Sequence, residues 1–196
     1  MKKLVPVLAV VVLLLLVFQW GVGIYNNMVR KQEGVAAAWS QVENVYQRRL
    51  DLIPNLVETV KGVANFEQET YTAVAEARSK AGQVTIGPET INDPASFEKF
   101  QAAQGELSSA LSRLLVAVER YPELKANQNF LELQSQLEGT ENRITVERRN
   151  FNETARDFNA YVKVFPNAFI AGFGDFPPKP YFEAAEAAKE APQVRF

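Results

Sequence analysis

Apolar residues run almost unbroken from Leu4 to Ile24, interrupted only by Pro6, Gln19, Gly21 and Gly23. At about 1.5 Å per helical residue this stretch covers roughly 30 Å, the hydrocarbon thickness of a bilayer. A charge-free helix of that length predicts a membrane anchor over residues 1–25, marked by Leu4, Val10, Leu14, Phe18, Trp20 and Ile24. Trp20 and Tyr25 stand at its C-terminal end, where aromatic rings with a polar edge settle among headgroups. Beyond the anchor the apolar positions recur at helical spacing, and strand-like alternation is almost missing. The pattern predicts an all-α protein: a transmembrane helix, an antiparallel up-and-down four-helix bundle over 26–165, and an irregular Pro/Gly/Phe-rich tail over 166–196.

The bundle helices are read one by one. Val35, Trp39, Val42 and Val45/Tyr46 share a face of the first, which continues straight out of the membrane as one rod with the anchor. Pro54 lacks an N–H and disfavours helical geometry at Ile53, so the first helix either kinks there or, the preferred reading, turns and a second starts, running to about Gly82. Gln83 to Asp93 is rich in turn residues, and Asp93-Pro94 reads as an N-cap followed by a first helical position. The third helix carries Phe97, Phe100, Gln104, Leu107, Leu111, Leu114, Val118 and Tyr121 at alternating steps of three and four, until Pro122. In the fourth, from about Lys125 to Val164, Phe130, Leu137, Ile144, Phe151, Phe158 and Phe165 fall seven apart. That strict repeat predicts a left-handed wrap on the neighbouring helices. The tail could hold one short helix from Glu183 to Lys189, and Val194 and Phe196 alternate like a short strand.

Composition narrows the chemistry. The 196 residues contain no cysteine and no histidine, with net charge −2. Without cysteine there is no acylation site, so any membrane attachment is by the helix itself. Gly21-Val22-Gly23 is a poor signal-peptidase site and the apolar run is long, so an uncleaved anchor is expected. Without histidine, Ser-His-Asp sites and the histidine-bearing carboxylate motifs of di-metal bundles are excluded. Scattered Lys and Arg argue against nucleic acid as a partner. Lys2 and Lys3 press on one end of the anchor more closely than Arg30 and Lys31 on the other, which favours a cytoplasmic N-terminus and an extracytoplasmic domain.

Two polar clusters stand out: Arg48, Arg49, Asp51, Asn55 and Glu58 around Pro54, and Glu138, Thr140, Glu141, Asn142 and Arg143, continued by Glu147 to Arg149. From them, Arg49, Asp51, Asn55, Glu138, Glu141 and Arg143 form a candidate polar network fixing helix order and register. The competing reading is a carboxylate enzyme or carbohydrate-binding module built on Glu138 and Glu141, which share a face at i, i+3. Gly62, Gly105 and Gly139 fall within predicted helices, either as tolerated exposed positions or as points of close approach. In the tail, Phe173, Phe176, Tyr181, Phe182, Val194 and Phe196 either fold back on the bundle or form a partner-docking segment.

Several long strings resemble the bacterial LemA family. They are Ala38-Trp39-Ser40-Gln41-Val42, Arg48 through Gly62 (RRLDLIPNLVETVKG), Tyr121 through Asn127 (YPELKAN), Phe130 through Gln134, Leu137 through Ile144 (LEGTENRI), Phe165-Pro166-Asn167 and Gly172-Phe173. The resemblance runs in order through the anchor and the bundle. It implies a single-pass bacterial membrane protein with an antiparallel helical bundle, and it brings no catalytic residues, activity or orientation with it. The resulting expectation is a non-catalytic scaffold or adaptor in the cell membrane, binding no cofactor. Its partners would be the lipid bilayer, an unidentified membrane or envelope protein and a possible homo-oligomer. Besides the carboxylate enzyme, an oligomeric membrane-shaping protein is the remaining alternative.

Overall fold

The computed structural model describes residues 4–63, 66–84 and 87–183, with side chains from Leu8 onward. Among these residues the protein is helical and contains no strand. Six helices follow in order: α1 (Leu4–Lys61), α2 (Gln68–Gln83), α3 (Pro94–Val118), the single turn α4 (Pro122–Lys125), α5 (Gln128–Lys163) and the short α6 (Asn167–Ala171). α1 packs along α5, α2 along α3, and α1 against α2, with α6 lying on α1 and α5. The long helices α1, α2, α3 and α5 form the antiparallel bundle.

Anchor and first bundle helix are one rod of 58 residues. Its side chains are exposed from Leu8 to Trp20, and from Ile24 on one face is buried at helical spacing: Met28, Val35, Trp39, Val42 and Tyr46, with Lys31 and Gln32 half-buried between the first two. The apolar face thus changes from all-round to one-sided as the helix enters the bundle, which is the difference between a lipid environment and a half-solvated one.

The expected turn at Pro54 does not occur. α1 continues for seven residues beyond it, to Lys61, and the second bundle helix starts only at Gln68. Proline at this position deprives the Leu50 carbonyl of its intrahelical donor. Arg78 of α2 supplies a replacement, its Nε donating to the Leu50 oxygen at 2.8 Å. Ile53, Leu56, Val57 and Val60 meanwhile stay buried along the same face, so continuing the helix is rewarded by packing. The helix ends instead at Lys61-Gly62, a basic last turn followed by glycine.

Other boundaries agree with the pattern. Asp93 caps α3 by accepting from the amides of Ala95 and Ser96, with Pro94 at the first position. Every position of the α3 stripe from Phe97 to Val118 is buried, and Tyr121 is half-buried. The seven-residue repeat of α5 is buried from Phe130 to Phe158. Phe165 departs from it: the helix has ended at Lys163, and this ring is 90 % exposed. Gly105 and Gly139 have open space around them and are tolerated surface positions, while Gly62 lies past the end of α1.

The core divides in two. A distal cluster is mostly aliphatic and includes Leu50, Ile53, Leu56, Val60, Leu107, Leu114, Leu124 and Leu137. A cluster on the anchor side is largely aromatic and includes Trp39, Phe97, Phe100, Phe151, Phe158, Phe176 and Phe182.

Candidate functional site: a buried polar layer and a clamped tail

Arg49 lies between the two clusters. Its guanidinium is 2 % exposed and binds partners from two other helices. Nη1 donates to Ser108 Oγ of α3 at 2.9 Å and to Glu141 Oε2 of α5 at 3.0 Å, while Nη2 donates to the side-chain oxygen of Gln104. It also lies 5.0 Å from the centroid of the Tyr46 ring. Burial pushes the Tyr46 hydroxyl above its ordinary value, opposed by the nearby Arg148 and Arg49. A groove of about 460 Å³ opens above this layer, lined by Arg49, Gln104, Ser108 and Glu141.

Only part of the expected polar network assembles here. Arg49 and Glu141 meet; Asp51, Asn55, Glu138 and Arg143 are exposed. Asp51 accepts from Gln47 and Glu138 from Gln134, each one turn away on its own helix. Gln104 belongs to the buried α3 stripe by its spacing, whereas Ser108 is the member that periodicity alone does not reveal. Glu141 is committed to the arginine, and among the described residues no group of three or more His, Cys, Asp or Glu side chains could hold a metal ion.

The tail behaves as a wall of the bundle. Two asparagines of α5 hold it as an extended segment. Asn159 donates to the carbonyl of Lys179 at 2.9 Å and accepts from its amide at 2.8 Å. Asn152 repeats the arrangement on Phe182, with both bonds at 2.9 Å. The spacings match: seven residues of helix rise about 10.5 Å, and three residues of extended chain span about 10 Å. Asn159 also donates to the Tyr181 hydroxyl at 2.8 Å.

At the Asn159 clamp the Lys179 side chain is buried, with its ammonium bonded to Asn92 and 5.6 Å from the Phe158 ring centroid. Burial lowers its proton affinity. The Phe182 ring enters the aromatic cluster 4.9 Å from Phe97, 5.6 Å from Phe151 and 6.1 Å from Trp39. Phe176 meets Tyr25 edge-on at 5.3 Å. Gly174 permits that contact, because a β-carbon there would lie 2.6 Å from the Phe176 ring and 3.2 Å from that of Tyr25. Of the two readings of the tail, Phe176 and Phe182 take the one that folds back on the bundle, with their rings buried inside the protein. Phe173 and Tyr181 are exposed, and Val194 and Phe196 lie outside the described residues, as does nearly all of the short helix expected after Glu183.

The match to known proteins covers the bundle and the tail together. The LemA family model matches residues 38–196, beginning inside α1 and taking in all four bundle helices. The chain belongs to the LemA family. It is 26 % identical over 165 residues to Protein LemA of Metamycoplasma hominis, covering 84 % of this chain and 71 % of that one. It is 25 % identical over 179 residues to the magnetosome protein MamQ 2 of Paramagnetospirillum magneticum, covering 83 % of this chain and 66 % of the relative. The magnetosome protein MamQ of Magnetospirillum gryphiswaldense matches with the same identity and coverage. This LemA-family chain is thus a membrane-associated helical protein with bacterial relatives, and nothing in the comparison points to catalysis. The apolar segment of α1 precedes the matched region, and its length and exposure are those of a membrane anchor.

Proposed function

We propose that this protein is a non-catalytic scaffold of the bacterial cell envelope, held by a single membrane span and presenting its helical bundle to protein partners. The observation that carries this reading is the continuity of α1. One helix is exposed and apolar through residue 20 and becomes the central wall of the bundle from Ile24, so domain and anchor move as a rigid unit. A catalytic domain gains little from such a mount, whereas a scaffold gains a fixed distance from the bilayer. The polar layer supports the same reading, because Arg49 and Glu141 bind each other and hold α1 and α5 in register. Lys2 and Lys3 favour the arrangement with the bundle outside the cytoplasm.

Crosslinking in intact cells followed by mass spectrometry tests this reading. Reproducible crosslinks from the exposed faces of α3 and α5 to one envelope protein, or to a second copy, are expected. A chain that crosslinks to lipid alone, or only to cytoplasmic proteins, would overturn the scaffold or its sidedness respectively.

A further inference from the structure

Next to the anchor the bundle carries an apolar surface that the scaffold reading leaves unused. Val164, Phe165, Phe169 and Phe173 are 52, 90, 69 and 77 % exposed, and they come from one short stretch around α6. Phe169 and Phe173 meet edge-on, with ring centroids 5.1 Å apart, so they form one raised aromatic surface. Contiguous exposed apolar surface of this kind marks an interaction site.

Its height along α1 follows from three contacts. Thr154 of α5 lies opposite Gly34, the Lys31 ammonium is 5.5 Å from the Tyr161 ring centroid, and Gly174 and Phe176 lie against Tyr25. The descending chain therefore reaches the level of Tyr25 at this surface, where the apolar run of α1 ends at Ile24. The inner side of α6 is pinned: Asn167 is buried and donates to the Tyr161 carbonyl at 2.9 Å, and Ile170 and Ala171 pack on the aromatic cluster. Lys163 and Arg30 are exposed at the same end. Aromatic rings backed by cationic side chains suit the boundary between headgroups and acyl chains.

We propose that Phe165, Phe169 and Phe173 form a second membrane contact, lying in the interfacial layer of the bilayer beside the anchor. The occupant is lipid because the surface is continuous with the span of α1. A single helix crossing a bilayer leaves rotation about its axis and tilt free; a second contact off that axis removes both. The foot would fix which face of the bundle points away from the membrane. The proposal rests on the anchor reading of α1.

The absence of native cysteine makes the test clean. Leu14→Cys, Phe173→Cys and Val116→Cys are each labelled with a nitroxide in the full chain, reconstituted in vesicles of phosphatidylcholine and phosphatidylglycerol. Collisions with oxygen and with a water-soluble nickel chelate are then compared. Val116 is an exposed residue on the distal half and is the aqueous reference. Oxygen should dominate at Leu14 and Phe173, and nickel at Val116. Adding Phe165→Ser and Phe169→Ser to Phe173→Cys should return that label to the nickel-accessible class. A Phe173 label as open to nickel as Val116 overturns the foot while Leu14 still reports the anchor. A Leu14 label open to nickel overturns the anchor itself. A Phe173 label closed to both reagents also contradicts the proposal, since protein would then cover the surface.

Discussion

The two halves of the bundle solve the same packing problem with different materials. The distal half is closed without the C-terminal tail: α1, α2, α3 and α5 bring Leu, Ile and Val together, Phe66 of the α1–α2 connection packs among them, and α4 closes the corner with the fully buried Leu124. On the anchor side α2 has already ended at Gln83, while α1 and α5 continue toward the membrane. The missing wall is filled by bulk and by the tail, with Trp39, Phe97, Phe100, Phe151 and Phe158 widening the core and Phe176 and Phe182 closing it. Phe182 is held to α5 by its backbone through Asn152 and Lys179 through Asn159. The comparison teaches that the tail is a structural element of the membrane-proximal half, while the distal half is self-sufficient.

The largest expected effect that could break this comparison is at the closing ring. Phe182→Ala should cost about 3–5 kcal/mol, the range for a buried phenylalanine truncated to alanine, read by denaturant unfolding in micelles. It should also expose the tail to limited proteolysis. Leu107→Ala in the distal half should cost a similar amount without that exposure, and a nicked tail in both variants would erase the distinction.

Next comes the support of the long helix. Arg78→Met leaves the Leu50 carbonyl without its donor and should destabilise the distal half by about 1–3 kcal/mol. Adding Pro54→Ala restores an intrahelical N–H to the same carbonyl, so most of that loss should be recovered. A double variant no more stable than Arg78→Met would contradict the account of how α1 passes through Pro54.

Smaller effects sharpen the boundary between the halves. Asn152→Ala should cost about 1–2 kcal/mol by releasing two hydrogen bonds to Phe182, with the loss confined to the tail side in amide exchange. Glu141→Gln should cost under about 1 kcal/mol, because the carboxylate paired with Arg49 is more than half exposed and solvent screens it.

The smallest is a pH effect. Burial raises the Glu43 carboxyl above 4.5, with the Trp39 indole opposing and Glu89 reinforcing the rise. Between 4.5 and its raised folded value the folded state holds the proton more tightly than the unfolded chain, so this group's contribution to stability falls as pH rises through that window. Glu43→Gln should flatten that slope in thermal melts.

Features encoded locally were legible before the structure. The Asp93-Pro94 cap, the three-and-four stripe of α3 and the seven-residue repeat of α5 each depend on residues within a turn or two of one another. What escaped depends on distant partners. Pro54 looks like a helix end until Arg78, far along the chain on another helix, takes up the freed carbonyl. Likewise no periodicity of α5 marks Asn152 and Asn159, whose role depends on the extended chain at 179–182 alongside them. In the polar layer, Arg49 and Glu141 were legible as charges in suggestive clusters, but proximity in sequence misassigned Asp51, Asn55, Glu138 and Arg143, which face water. Charge clusters on helices report composition; which members turn inward is decided by the neighbouring helix.

The central claim is that the tail closes the membrane-proximal half. Hydrogen exchange of the membrane-reconstituted chain truncated after Pro178 tests it most directly. Protection should fall along residues 28–46 and 151–163, and persist along 50–60 and 107–118. Unchanged protection in the proximal segments, or an even loss across both halves, would contradict it.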